Sequence, residues 1–243
     1  MESNRENFAS NLTAILALAG SAIGLGNIWR FPYMVGEYGG AAFIIVYLVF
    51  SLLISLPIML SESIIGRRSR SNTFGALGKL SKSRIWSSFS LLTVLTPLII
   101  LSFYSVVGGW SIEFLFKALG GSFVNADPDS VRSQFAAFTS HPFLPFIFHT
   151  VFLLLCALIV VSGVKGGIEK FNKFTMPLLF LLIVAMALYS LSLPGARAGV
   201  DYLLKPDFKV LTPKALASAL GQSFFSLSLG VGTVLTYSSY ISP

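Results

Sequence analysis

Long apolar blocks separated by short polar ones run the length of this chain. Six of them reach the ~20 apolar residues that a helix needs to cross a hydrocarbon core. They cover roughly residues 13–35, 40–66, 85–115, 143–162, 174–193 and 213–241. Backbone polar groups in lipid must be satisfied within the segment, so the blocks predict helices and an all-α integral membrane fold. The whole of 1–243 reads as one transmembrane domain. Thr212 followed by Pro213 is a helix start, an N-cap residue with proline in the first turn. Pro97 and Pro177 fall inside blocks, where neighbouring helices satisfy the freed carbonyls.

The first and sixth blocks are interrupted. Ala19-Gly20-Ser21-Ala22-Ile23-Gly24-Leu25-Gly26-Asn27 breaks the first, followed by Ile28-Trp29-Arg30-Phe31-Pro32. Phe224-Phe225-Ser226-Leu227-Ser228-Leu229-Gly230-Val231-Gly232 breaks the sixth. Glycine-interrupted spans in matching positions of two halves point to the binding site of a secondary transporter. Five spans precede the sixth, so the two broken helices cross the bilayer in opposite directions. That is the relation of an inverted five-helix repeat, with the first repeat followed by the first helix of the second. The second repeat is expected to continue past Pro243, which makes the chain the N-terminal portion of a longer transporter.

Composition agrees: 54% of residues are hydrophobic and 11% charged, with a mean hydropathy of +0.79. A soluble domain is nearer 25% charged. The net charge of +7 does not indicate nucleic acid, because the basic residues lie between spans. Arg67, Arg68, Arg70, Lys79, Lys82 and Arg84 follow the second block, and Lys165, Lys170 and Lys173 follow the fourth. The alternate loops mix signs, with Asp127, Asp129, Arg132, Asp201, Lys205, Asp207 and Lys209. Positive-inside bias predicts a multi-pass membrane protein with the N-terminus and the basic loops in the cytoplasm, and the cell's inner (plasma) membrane is its expected location. The first block is too long for a signal-peptide core and lacks a cleavage pattern, so no cleavable leader is expected. The single Cys156 lies within the fourth block, where a disulfide framework or metal cluster is not expected.

An unwound span presents two half-helix ends to each other. Amides near Leu25, Gly26 and Asn27 carry partial positive charge and suit a carboxylate. Carbonyls near Gly20, Ala22 and Ile23 suit a small cation or an ammonium group, and Asn27 adds a neutral oxygen of the kind hard cations prefer. In the sixth block, carbonyls around Phe225 and Ser226 can accept from an ammonium, Ser226 and Ser228 supply hydroxyls, and Phe225 can wall the pocket. Gly20-x-x-x-Gly24 is also a helix-packing motif, and Ser226-x-Ser228-x-Gly230 a small packing face. Both together, inverted and flanked by Asn27 and Arg30, favour a binding site over packing.

Arg30 costs roughly 2.5–3.5 kcal/mol at such depth and should face a water-filled vestibule or an acid. Glu62, toward the inner part of the second block, either snorkels to the interface or accepts amides from an unwound neighbour. Ile100 and Tyr104 lie one turn apart and face one side of the third block, which fits either core packing or a site. Tyr47 and Gln222 need partners if buried. His141 and His149 lack metal-ligand spacing and read as surface or packing residues.

The run from Gly20 to Tyr33 resembles the neurotransmitter:sodium symporter family, as do Glu37-Tyr38-Gly39-Gly40-Ala41-Ala42-Phe43 and the run from Gly221 to Gly230. The likeness is to the bacterial, leucine-transporter-like branch, which serves as an example of the inverted-repeat rule. It implies sodium-coupled symport of an amino acid, not enzymatic chemistry. By that resemblance a first sodium would meet the Ala22 carbonyl, Asn27 and Ser226, together with the substrate carboxylate. A second sodium would take the carbonyls of Gly20 and Ile23. The carboxylate would meet the amides of Leu25 and Gly26 and the hydroxyl of Tyr104. The ammonium would meet the carbonyls of Ala22, Phe225 and Ser226, with help from Ser228. Ser21, Ile100 and Val231 would shape the side-chain pocket. Tyr47, Gln222 and Ser226 match positions around the family's chloride site, and Arg5, Arg30 and Glu62 match gating or structural positions. Monoamine transporters carry aspartate where this chain has Gly24, so the resemblance favours a ligand that brings its own carboxylate. Phe8 departs from the family's cytoplasmic gate, where many members have tryptophan. The rival expectation is a non-transporting fragment, or a half-transporter that needs a separate second half or a homo-oligomeric partner.

Overall fold

The computed structural model describes residues 11–81 and 84–241, and every regular element among them is helical. Arg5 and Phe8 lie outside the described residues. The α-helices are α1 (Asn11–Ala22), α2 (Phe31–Glu37), α3 (Ala41–Phe50), α4 (Leu56–Ser69), α5 (Thr73–Ser81), α6 (Arg84–Leu119), α7 (Pro128–Ser140), α8 (Leu144–Val161), α9 (Lys170–Ser192), α10 (Ala196–Leu204), α11 (Pro213–Ser226) and α12 (Thr233–Ser238). Single π-type turns occupy Gly26–Arg30, Ser51–Ser55 and Val164–Glu169. Such turns cluster at functional sites, and the first of them abuts a break.

Four helical segments are long and apolar enough to cross a membrane: Ala41–Ser69, Ser88–Leu119, Leu144–Val161 and Gly166–Ser192. Leu12–Ala22 and Gly26–Glu37 make a fifth if the pair, bent by 58°, counts as one broken span. The stretch from Pro213 onward divides into α11 and α12, and Thr212 Oγ1 accepts the Ala215 N–H (3.1 Å) to cap the first. Pro97 sits inside α6 and Pro177 inside α9.

The described residues form two compact units, one running to Val94 and resuming at Val164, the other Leu95–Gly163. In the first, Met34, Val35, Phe43 and Ala219 make a buried cluster packed by Phe31, Tyr38, Tyr47 and Phe50. It joins α2 and α3 to α11, the first half of the second broken helix. Tyr202 of α10 donates its hydroxyl to the Gly36 carbonyl (2.8 Å), satisfying an end carbonyl of α2. At the far end of α4, Lys79 Nζ donates to the carbonyl of Ser69, the last residue of the helix (2.9 Å), and Arg70 Nη1 reaches the Ile241 carbonyl beyond α12 (3.3 Å). Cations at a helix C-terminus also oppose its dipole.

In the second unit, α6 and α8 meet at Gly108 and Gly109, against the Phe152 ring and the His149 backbone. Asp127 caps α7 by accepting the Ser130 N–H (2.9 Å). Phe114, Phe135 and Phe138 form an aromatic cluster that Lys117 overhangs, its Nζ 5.2 Å from the Phe114 ring centre.

Candidate functional site: two facing helix breaks

At the first break the helical ladder ends with the Ile23 N–H on the Ala19 carbonyl (2.8 Å). The chain bends at Ile23 and Gly24 and restarts with the Asn27 and Ile28 N–H groups both on the Gly24 carbonyl (3.0 Å each). The Asn27 amide is therefore spoken for. This corrects the expectation that it faces a ligand together with those of Leu25 and Gly26. What Asn27 offers is its side chain: Nδ2 donates to the Ala22 carbonyl (2.7 Å).

The second break closes α11 by a Schellman pattern, in which Leu229 N–H meets the Phe224 carbonyl (3.1 Å) and Ser228 N–H that of Phe225 (3.1 Å). The C′ position of this motif takes the left-handed conformation and usually holds glycine. Here it is Ser228, with φ +53°. Gly230 and Gly232 follow, both at φ +74°, and α12 starts at Thr233.

Hydrogen bonds tie the two breaks together within the first unit. Gln222, fully buried, donates Nε2–H to the Gly26 carbonyl (2.9 Å) and to Ser226 Oγ (3.1 Å). Ser226 Oγ donates in turn to Asn27 Oδ1 (2.5 Å). Ser228 Oγ donates to the Ser21 carbonyl (3.3 Å). The chain Ala22–Asn27–Ser226 thus gathers a carbonyl, an amide oxygen and a hydroxyl in one place. All three are neutral hard oxygens, a donor set that fits a small monovalent cation better than a thiophilic or highly charged one. Among the described residues no three His, Cys, Asp or Glu side chains group as metal ligands.

The remaining expected residues fall as follows. Phe225 lays its ring against Gly26, where a Cβ would collide with it, and the Arg30 guanidinium stands 5.5 Å from the ring centre. Arg30 is otherwise exposed. Of the two fates open to Glu62, the structure has the second: its Oε1 accepts the Gly230 N–H (2.8 Å). Tyr47 packs on Phe31, with ring centres 4.7 Å apart. Val231 is half-buried in the second break. Gly20 and Ile23 line the first, and the Asn172 amide of α9 presses on Gly20, its Oδ1 2.6 Å from where a Cβ would stand. Ile100 and Tyr104 share α6 in the second unit.

Several participants escaped the sequence analysis. Ser55 shares a hydrogen bond with Ser223 (2.8 Å), Ser63 with Ser238 (2.9 Å) and Thr73 with Thr236 (2.7 Å). The signal was present on the second span, because Ser55, Glu62, Ser63 and Gly66 fall at i, i+7, i+8 and i+11 along one helix face.

Residues 5–128 and 145–242 match the profile described as "Sodium:neurotransmitter symporter family". An uncharacterized sodium-dependent transporter of Bacillus subtilis is 41% identical over 234 residues, covering 96% of this chain and 52% of the relative. A second, from Haemophilus influenzae, is 36% identical over 248 residues, covering 98% of this chain and 54% of the relative. The crystal structure of MhsT in complex with L-phenylalanine matches with a TM-score of 0.91 at 45% identity, covering 98% of this chain and 54% of that one. The chain spans about half the length of the relatives it matches. Its sequence, its all-α membrane fold and its paired breaks converge: the chain belongs to the sodium:neurotransmitter symporter family.

Proposed function

We propose that this chain carries the ion- and substrate-binding breaks of a sodium-coupled amino-acid symporter. The observation that carries the reading is the hydrogen-bonded chain from Gln222 through Ser226 and Asn27 to the Ala22 carbonyl, which joins two broken helices at their polar centres. A sodium ion would take the place of the hydrogen bonds among these oxygens, with the Ser226 hydroxyl and the Asn27 amide keeping their hydrogens and turning only their oxygens to it. It meets the Ala22 carbonyl, Asn27 Oδ1 and Ser226 Oγ, and the substrate carboxylate completes the shell. A second sodium takes the carbonyls of Gly20 and Ile23. The carboxylate lies on the amides of Leu25 and Gly26, and the ammonium lies among the carbonyls of Ala22, Phe225 and Ser226 and the hydroxyl of Ser228. Ser21 and Val231 shape the side-chain pocket. Phe225 beneath Arg30 forms an outer barrier, and Tyr47, Gln222 and Ser226 form a polar pocket able to take chloride. The six spans make one inverted repeat and the opening helix of the next, with the basic loops cytoplasmic.

Bound ligands shift a population between outward- and inward-open states. One sodium crossing about 100 mV supplies about 2.3 kcal/mol. A tenfold gradient adds about 1.4 kcal/mol. The amino-acid ligand is favoured by Gly24, which leaves no built-in carboxylate at the first break, and by the L-phenylalanine bound to MhsT.

The test is equilibrium binding of radiolabelled L-phenylalanine to the purified protein in lipid nanodiscs, in sodium and in an equal concentration of choline. Saturable binding in sodium only is expected. Binding that is equal in both salts removes the sodium site, and absence of binding to any neutral amino acid removes the symport reading.

A further inference from the structure

The break between α11 and α12 leaves the Gly230 N–H outside the helical ladder, and the carbonyl of Gly232, the N-cap of α12, has room for a second partner beside its ladder bond; the α4–α5 segment answers both. Glu62 takes the Gly230 N–H. Thr73, the first residue of α5, donates its hydroxyl to the Gly232 carbonyl (2.9 Å). The same carbonyl accepts the Thr236 N–H (2.9 Å), so both its lone pairs are in use. With its one proton on Gly232, Thr73 Oγ1 accepts the hydroxyl of Thr236 (2.7 Å). Thr73 is buried. A Cβ on Gly232 would come within 2.5 Å of the Thr73 hydroxyl and methyl, and its φ of +74° is one that glycine adopts freely. The two residues are therefore matched to each other. The hydroxyl is not spent on α5 itself, whose start is held by Asn72 accepting the Gly75 N–H (2.9 Å).

Resting on the reading of the second break as a substrate wall, we propose that Thr73 is a positioning residue for that site. Its hydroxyl clamps the left-handed turn at Gly232 and so couples the seating of the loop helix α5 to the shape of the break that carries Ser228 and Val231. Coupling of this kind is reciprocal: a ligand that fixes the break also fixes α5, and loosening α5 loosens the break.

Hydrogen exchange read by mass spectrometry on the protein in nanodiscs tests it, using Thr73→Val, which keeps the shape, and Thr73→Ser, which keeps the hydroxyl. Without ligand, Thr73→Val raises exchange over residues 227–236 by about five- to tenfold, the loss of one buried hydrogen bond. Thr73→Ser stays near wild type, and residues 128–140 are unchanged in both. Equal exchange over 227–236 in the two variants overturns the clamp. If Thr73→Val also loosens 128–140, Thr73→Ala, which drops the hydroxyl without adding a methyl, decides, and no rise over 227–236 there overturns the clamp equally. With sodium and L-phenylalanine added, exchange over 73–81 slows in wild type and Thr73→Ser but not in Thr73→Val. Equal slowing in all three overturns the coupling. If ligand protects nothing in wild type, the symport reading fails, and the ligand-free comparison still decides the clamp.

Discussion

Ser228 holds φ at +53° in a position where glycine is usual, and a non-glycine residue there costs roughly 1–2 kcal/mol. The Schellman turn alone gives no reason to bear that cost, whereas the hydroxyl does, since it reaches across to the Ser21 carbonyl. Ser228→Gly therefore separates stability from binding. Thermal denaturation in detergent should show the variant at least as stable as wild type. Its affinity for the amino acid should fall about tenfold or more, as for a lost hydrogen bond to a charged group. Unchanged affinity would show that the hydroxyl makes no contact with the ligand. Val231, in the same loop, tests shape instead of polarity. A phenylalanine there narrows the pocket, so Val231→Phe should move the ratio of alanine to phenylalanine binding about tenfold toward alanine, in line with selectivity from pocket volume. A constant ratio in competition binding would remove Val231 from the pocket wall.

At the scale of elements, α12 is six residues long, too short to be stable as an isolated helix. It is held by α4, on which Gly66 lies directly beneath the Leu235 carbonyl, with Ser63 bonded to Ser238 beside it. Because the atom over Gly66 is backbone, Gly66→Ala has no side chain to push aside. The variant should lose about 1–3 kcal/mol, the range for overpacking, seen as earlier unfolding in a denaturant series, whereas Ser61→Ala on the exposed side of α4 should cost little. Equal midpoints for the two would mean that α12 relaxes away without penalty. This contact also shows what the sequence could and could not reveal. The breaks were legible because two glycine- and serine-rich interruptions recur in inverted positions, one of them flanked by Asn27 and Arg30, which helix packing alone does not call for, and Thr212-Pro213 announced its helix start. The polar stripe on the second span was visible too, but its partners lie more than 150 residues away along the chain, and periodicity carries no information about them. Glu62 kept two readings for that reason. The Asn27 amide was misjudged because a break frees an N–H only if the bend brings no carbonyl beneath it, and here Gly24 is beneath it. The short helices α5, α7 and α10 were invisible in a reading built on blocks long enough to cross a bilayer.

For the molecule as a whole, the proposed first sodium shell is incomplete in the protein alone. Three protein oxygens converge, and the fourth kind of ligand is the carboxylate of the substrate itself. Ion and amino acid then bind as one unit, and linkage requires each to raise the affinity of the other by the same factor, typically about 5–150-fold. Isothermal titration of L-phenylalanine at several sodium concentrations, paired with sodium titrations at several L-phenylalanine concentrations, should return one coupling factor from both directions. L-Phenylalaninol keeps the ammonium and the ring but has a hydroxyl in place of the carboxylate, so it cannot share a negative ligand with the ion. Its binding should be weaker, and its sodium dependence should collapse toward unity. Phenylalaninol binding that rose with sodium as steeply as that of phenylalanine would place the coupling elsewhere, in a sodium-driven closure of the first break around Gly20 and Ile23. Sodium would then stabilise one conformation without touching the substrate, and substitution of Ser226 by alanine would leave the coupling factor intact.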